Sequence, residues 1–332
     1  MLLDHTDTTY LISSALADEV RTGLTQQPKR LSSRFFYDAE GSRLFSEIMH
    51  LPEYYLTRSE YEIIDNYKEQ WLRLFAADNR PFDLIELGAG DGLKTKVLLS
   101  HFVEQNARFS YSPVDISETV LDELTDDLRQ KLPTLTVKPQ HGDYTDALAQ
   151  IVQRTASEAD STRLIVLFLG SNIGNFTPDA ALDFYHQLSA LLRPGDMLLT
   201  GFDLQKHPAV IHAAYNDRQG LTKAFNLNLL RRINRELDAD FNLAAFDHYE
   251  VYDPERGEAR SYLVSQTKQT VTIKALDMTV AFDYGEIIHT EISRKFTRQG
   301  IGQLAEQTGF SLSHWFTDCR HYFADVVYTK NR

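Results

Sequence analysis

The sequence predicts an α/β protein built on a sheet of parallel strands, with a second domain of mixed α+β type. Three observations carry that expectation. Over residues 81–200, short apolar runs alternate with helical patterns, as in a parallel sheet buried between helices. The first run enters a glycine-rich turn, Gly88-Ala89-Gly90-Asp91-Gly92, and a helical pattern follows. Past residue 206 the alternation gives way to a helical stretch and then to several short β-like runs. At 332 residues the chain exceeds the usual single-domain length, which fits two domains.

Each element has a local reason. Residues 82–87 form the first strand, and 94–102 the helix after the turn. Residues 109–114 form the second strand, ending at Asp115; Ser117 can cap the next helix, with Glu118 in its first turn. Residues 135–138 form a third strand, leading to His141-Gly142-Asp143-Tyr144. Residues 163–169 are almost continuously apolar, as a strand covered on both faces requires. Thr177-Pro178-Asp179 starts a helix with proline at a tolerated first-turn position. Pro194-Gly195-Asp196 turns the chain into a fifth strand, 197–202. Residues 207–241 read as helical, and 246–252, 259–266, 270–274 and 287–293 as strands. A helix near 297–309 and a last strand at 322–328 return to the first pattern. The expected layout is a Rossmann-like domain at 60–205 with 297–332, and a second domain from 1–59 with 206–296.

A formal net charge of -13 argues against nucleic acid, because a protein gripping phosphates needs a basic surface. The densest basic cluster, Arg231 and Arg232 with Arg235, is expected to decorate a solvated helix face. One cysteine, Cys319, excludes an internal disulfide, fits a reducing compartment and leaves no cysteine cluster for zinc. No metal is expected. The first residues lack a basic start with an apolar core, and no stretch is apolar enough to span a bilayer. The expectation is a cytoplasmic monomer acting on small molecules, with neither nucleic acid nor membrane as partner.

The turn at 88–92 lets backbone approach a ligand and offers free amides at a helix start. Dinucleotide sites use the same device, so the surroundings must decide. Glu86 before the turn would suit a cationic ligand. Asp115 at the second strand end can accept from both ribose hydroxyls. Asp143 is placed to accept from an adenine amino group, and Tyr144 to stack on the ring. Four features at successive strand ends favour S-adenosylmethionine over a nicotinamide cofactor.

Five segments are more specific still. They are Arg34-Phe35-Phe36-Tyr37-Asp38 with Gly41-Ser42, Leu51-Pro52-Glu53-Tyr54-Tyr55, and the run Phe168-Leu169-Gly170-Ser171-Asn172-Ile173-Gly174-Asn175. The others are Phe225-Asn226-Leu227-Asn228 and the run from Ile233 through Asn234-Arg235-Glu236 to Phe241. Together they resemble the ergothioneine-pathway histidine N-α-methyltransferases, which trimethylate histidine to hercynine, from about residue 30 to the C-terminus. The resemblance implies that Tyr37, Gly88, Lys94, Asp115, Asp143 and Tyr144 hold S-adenosylmethionine. It implies that Tyr54, Asn175 and Tyr215 surround the α-amino and carboxylate groups of histidine, with Asn175 and Tyr54 orienting the amine for catalysis. Glu291 and Ser293 match the pair that reads the imidazole. Ser261 stands where the family often has a bulky apolar residue, which leaves open methylation of another aromatic amino acid or amine.

The residues themselves allow the same reading. Strand alternation over 287–293 puts Ile287, His289, Glu291 and Ser293 on one face. A carboxylate and a hydroxyl there could engage both nitrogens of an imidazole. A half-exposed strand with its polar side to water gives the same pattern, and periodicity alone favours that reading. His289 is expected to be a satisfied structural histidine.

Overall fold

The computed structural model of the protein describes residues 5–157 and 162–331. Residues 1–4, on which the expectation of no signal peptide partly rests, lie outside the described residues, as do 158–161 and 332. The chain divides into two compact units. One takes in the chain up to Tyr55 together with Lys206–Ser293, the other Leu56–Gln205 and the chain from Arg294 onward.

The second of these, the sheet unit, is organised by strands with no solvent face. Phe82–Leu87, Arg163–Phe168 and Met197–Asp203 are buried at every position. A strand covered on both sides is mostly apolar, which is why these three were readable from the sequence. Polar residues inside them, such as Asp83, Glu86 and Thr200, are hydrogen-bonded. The sheet runs in the order Phe310–Thr317, Phe323–Lys330, Met197–Asp203, Arg163–Phe168, Phe82–Leu87, Phe109–Asp115, Thr136–Val137. Its middle is parallel, and the last two strands of the chain are added antiparallel at one edge. Ile85, Leu87, Val166, Phe168, Leu198, Phe202 and Tyr328 pack into one core. The strand order reverses between Phe82–Leu87 and Arg163–Phe168, and in such sheets ligands bind beyond the carboxyl ends at the reversal.

Two details differ from expectation. The third strand is split into Thr136–Val137 and Gln140–His141, both paired to Phe109–Asp115. Pro139 between them has no N–H to continue the ladder. Phe310–Thr317 forms a strand the sequence did not announce. Its register shifts between Leu312 and His314, which breaks the alternation a strand would otherwise show.

In the other unit, Lys29–Arg30, Ile287–Arg294, Glu258–Ser265 and Phe246–Asp253 form a four-stranded sheet in that order. Gln269–Ile273 and Met278–Phe282 form a separate ribbon. The stretch expected to be helical over 207–241 is two helices, Pro208–Tyr215 and Leu221–Leu237. The second starts where Asp217 accepts the N–H groups of Leu221 and Thr222 at 3.0 and 2.7 Å, satisfying donors that a helix start leaves open. Of the basic cluster on that helix, Arg231 and Arg235 are exposed as expected, but Arg232 is not. Arg232 is only 7% exposed, donating to the Phe35 carbonyl at 3.0 Å. Arg235 donates to Asp38 at 2.7 Å. Asp38 also accepts from Asn228 at 2.7 Å and caps the helix Ala39–Met49 through the Gly41 N–H at 2.8 Å. Burial works against its charge, but these donors, Arg235 foremost, hold the carboxyl below its usual range. The motifs around 34–42, 225–228 and 233–241 are therefore one tether.

Candidate active site

Within the sheet unit, the turn after Phe82–Leu87 follows from its glycines. Gly88, Gly90 and Gly92 have φ of 77°, 54° and 65°, a region L side chains enter at a cost. Gly88 is also cramped: a Cβ would lie 2.9 Å from the Tyr144 hydroxyl and 3.2 Å from Asn172 Nδ2. Asp115, half-buried, braces the turn. Its Oδ2 accepts the Gly90 N–H at 3.0 Å, and its Oδ1 accepts the Ser117 N–H at 3.0 Å. Each carboxylate oxygen keeps a second lone pair, so the group can still receive a vicinal diol. Asp143 is exposed and accepts the Thr145 N–H at 3.3 Å. Tyr144 opens the helix Tyr144–Ser157, its ring 5.5 Å from Phe168 and 6.2 Å from Phe184. Burial pushes its phenol above the ordinary range, so the ring stays neutral. These residues suit an adenosyl group: a close backbone approach, a diol acceptor and an aromatic face.

Lys94 stands at the N-cap of Thr95–Glu104 and is hydrogen-bonded to Glu60 on the helix Tyr55–Phe75. Burial opposes its charge, yet Glu60 holds the ammonium above its ordinary value. Glu86 does not present itself to a cationic ligand. It is 3% exposed and accepts from the hydroxyls of Thr95, at 2.6 Å, and Tyr111. Burial lifts its carboxyl to about 7 against the pull of those donors. Asn175 ends the turn Asn172–Asn175 beyond the strand Arg163–Phe168 and is exposed. The loop leading to it bends at Gly170 and Ser171, with φ of 74° and 56°.

The other unit groups the aromatic residues. Tyr37, 40% exposed, packs edge-on against Phe45 and Phe225, both at 5.5 Å. Tyr54 and Tyr215 are buried, with ring centroids 6.3 Å apart. The Tyr215 and Ser293 hydroxyls are hydrogen-bonded at 2.7 Å. Glu291 is half-buried on the same strand as Ser293, but burial loses its alternation there: Ile292 is half-buried and Ser293 buried. The bond to Tyr215 accounts for Ser293 being drawn in. His289 packs its ring 5.3 Å from Tyr262, and its Nε2 is buried without a hydrogen bond, so it is not the satisfied histidine expected. Ser261 is buried too, donating to Glu250 directly across the strand pair at 2.7 Å.

The structure thus gathers Gly88, Lys94, Asp115, Asp143, Tyr144 and Asn175 in one unit, and Tyr37, Tyr54, Tyr215, Glu291 and Ser293 in the other. Sequence reasoning passed over Glu60, and a signal was there. Leu56, Ile63 and Ile64 put apolar residues four before and three and four after it, so its charge falls on a buried helix stripe.

Comparison with known proteins adds the chemistry. The family described as histidine-specific, S-adenosylmethionine-dependent methyltransferases matches residues 16–330. Histidine N-alpha-methyltransferase of Mycolicibacterium smegmatis is 37% identical over 306 residues, 92% of this chain and 92% of that protein. The protein of the same name from Mycobacterium tuberculosis is 36% identical over 304 residues, 92% of this chain and 91% of its own. Ergothioneine biosynthesis protein 1 of Schizosaccharomyces pombe is 31% identical over 308 residues, 91% of this chain but 39% of that longer protein. A match of this extent, over a fold with a glycine turn and strand-end carboxylates, assigns the family: the chain belongs to the histidine-specific, S-adenosylmethionine-dependent methyltransferases.

Proposed function

We propose that the protein transfers three methyl groups to the α-nitrogen of L-histidine, giving hercynine for ergothioneine synthesis. The family match along residues 16–330 carries this reading. In it, Gly88, Lys94, Asp115, Asp143, Tyr144 and Tyr37 hold the cofactor, which supplies a methyl group already activated on a sulfonium. Tyr54 and Asn175 orient the amine, Tyr215 binds the carboxylate, and Glu291 with Ser293 reads the imidazole. Five of the six cofactor residues belong to the sheet unit, and Tyr37 belongs with the carboxylate and side-chain residues of the other. The buried Tyr215–Ser293 hydrogen bond supports the grouping, since it links the carboxylate-side residue to the imidazole-side residue.

With an activated donor, positioning supplies most of the acceleration. The amine must arrive as its free base, so each round releases one ammonium proton to water. The nitrogen lone pair forms the N–C bond as the S–C bond breaks, and S-adenosylhomocysteine leaves. Gripping the amino acid at its carboxylate and side chain keeps the nitrogen aligned while methyl groups accumulate. The single-cysteine chain suits the reducing cytoplasm.

The test is NMR and mass spectrometry of the product from histidine and S-adenosylmethionine. Three methyl groups on the α-nitrogen are expected. A methyl on an imidazole nitrogen, or faster turnover of tryptophan than of histidine, overturns the reading.

A further inference from the structure

We propose that Glu60 is a positioning residue for methyl transfer, one carboxylate that fastens the cofactor turn, through Lys94, to the start of the loop ending at Asn175. The inference rests on the cofactor role given to Lys94 above.

Glu60 has no exposed surface. Its Oε2 accepts from the Lys94 ammonium, and its Oε1 accepts the Gly170 N–H at 2.7 Å. The two bonded groups begin two different segments. Lys94 caps the helix after the glycine turn, and Gly170 opens the bend that leads to Asn172–Asn175. The turn that leads into Lys94 and the bend that starts at Gly170 both run through left-handed backbone, which local sequence alone does not hold in place.

The sheet is cut away to admit this carboxylate. Gly201 lies inside Met197–Asp203, where glycine ordinarily weakens a strand, and any Cβ there would collide with Glu60 Oε1. Asp325 pairs directly across from Gly201, so it belongs to the same face of the sheet. It is fully buried, and neither of its carboxyl oxygens has a hydrogen-bond partner. Three acidic side chains, Glu60, Glu86 and Asp325, thus act on one ammonium, and only Glu60 is bonded to it. Burial first, and then Glu60 itself, pushes the Asp325 carboxyl well above its usual range, which leaves Glu60 as the counter-ion of Lys94.

A buried helix glutamate could be purely a fold element, and kinetics separates the two roles. The experiment compares Glu60→Gln, Lys94→Gln and the double variant with wild type, by calorimetric binding of S-adenosylhomocysteine and steady-state kinetics. Glu60→Gln should raise the KM for S-adenosylmethionine and the dissociation constant of S-adenosylhomocysteine about tenfold, as loss of a charge-assisted bond does. The kcat should also fall, because Asn175 orients the amine from the fastened loop. The KM for histidine, set by the grip on its carboxylate and side chain, should stay within about twofold; general loosening of the protein would raise both KM values and overturn the proposal. If Glu60 acts through Lys94, the double variant binds no worse than Lys94→Gln alone. Additive losses overturn the proposal. The double variant leaves no buried charge unpaired, so it carries the comparison with Lys94→Gln even if Glu60→Gln alone does not fold. Unchanged binding by Lys94→Gln refutes instead the cofactor role of Lys94. Weakened binding by Lys94→Gln with none by Glu60→Gln refutes only the positioning role.

Discussion

Adding one methyl group at Gly88 tests whether the turn is held by conformation alone or also by close approach. At a φ of 77°, alanine carries the left-handed penalty of ~1–2 kcal/mol. Its Cβ would also lie 2.9 Å from the Tyr144 hydroxyl and 3.2 Å from Asn172 Nδ2. Relieving such contacts in a packed site costs ~1–3 kcal/mol more. The expected destabilisation is the sum, ~2–5 kcal/mol. Gly90 is the internal control: its φ is 54°, but a Cβ there meets nothing within 4 Å. Gly90→Ala should therefore cost only the backbone part. Urea unfolding of the two variants and wild type measures both values. Equal losses for Gly88→Ala and Gly90→Ala, or a Gly88→Ala protein within ~0.5 kcal/mol of wild type, would refute the close-approach argument.

Three further outcomes are expected. Asp115→Ala should weaken binding of S-adenosylmethionine by ~2–3 kcal/mol, because a charge-assisted acceptor for two hydroxyls is lost and the Gly90 N–H loses its partner; calorimetric titration checks this. Glu291→Ala should raise the KM for histidine about ten- to a hundredfold with kcat little changed, and raise relative activity on tryptophan; a fall in kcat at constant KM would place Glu291 in the chemical step. Glu86, with its carboxyl raised to about 7, binds a proton more tightly folded than unfolded. Its contribution is therefore full below the unfolded value near 4.5 and is lost as pH rises through 7. Relative to wild type, Glu86→Gln should gain about 3 kcal/mol of unfolding free energy between pH 4.5 and 8, and parallel pH profiles would contradict it.

Much of the fold was legible because burial leaves a mark on local sequence. Arg163–Phe168 has no polar side, so its apolar run announced it. Ser117 caps its helix as expected, accepting from the Val120 N–H at 3.4 Å, and a helix starts at Pro178 as expected, with Thr177 accepting from the Ala180 N–H at 3.3 Å. What stayed hidden depends on partners distant in the chain. Glu86 looks like a ligand group until the Tyr111 hydroxyl on the neighbouring strand is seen beside it. Arg232 looks solvated until the Phe35 carbonyl is found against it. The site divides in the same way. Asp115 and Asp143 follow from their places at strand ends, whereas Tyr54 and Tyr215 were distinguished from ordinary core aromatics only by resemblance. Ser293 shared a predicted face with Glu291, and its bond to Tyr215 lay beyond any periodicity.

The edge-to-edge order of the large sheet also sets a timetable for synthesis. Met197–Asp203 is completed well before its outer neighbour, Phe323–Lys330, leaves the ribosome. Until then one side of a fully buried strand has no ladder partner, and such an edge is a template for wrong pairing. Meanwhile the whole of 206–293 is made, and the unit it forms with the N-terminal segment has all its residues before the sheet can close. The nascent protein thus holds one unit with all its residues and one open sheet until Phe323–Lys330 emerges. A stop codon just ahead of Phe323 would remove the strand that pairs with Leu198, Leu199 and Thr200 and leave that buried strand as an open edge, which favours aggregation.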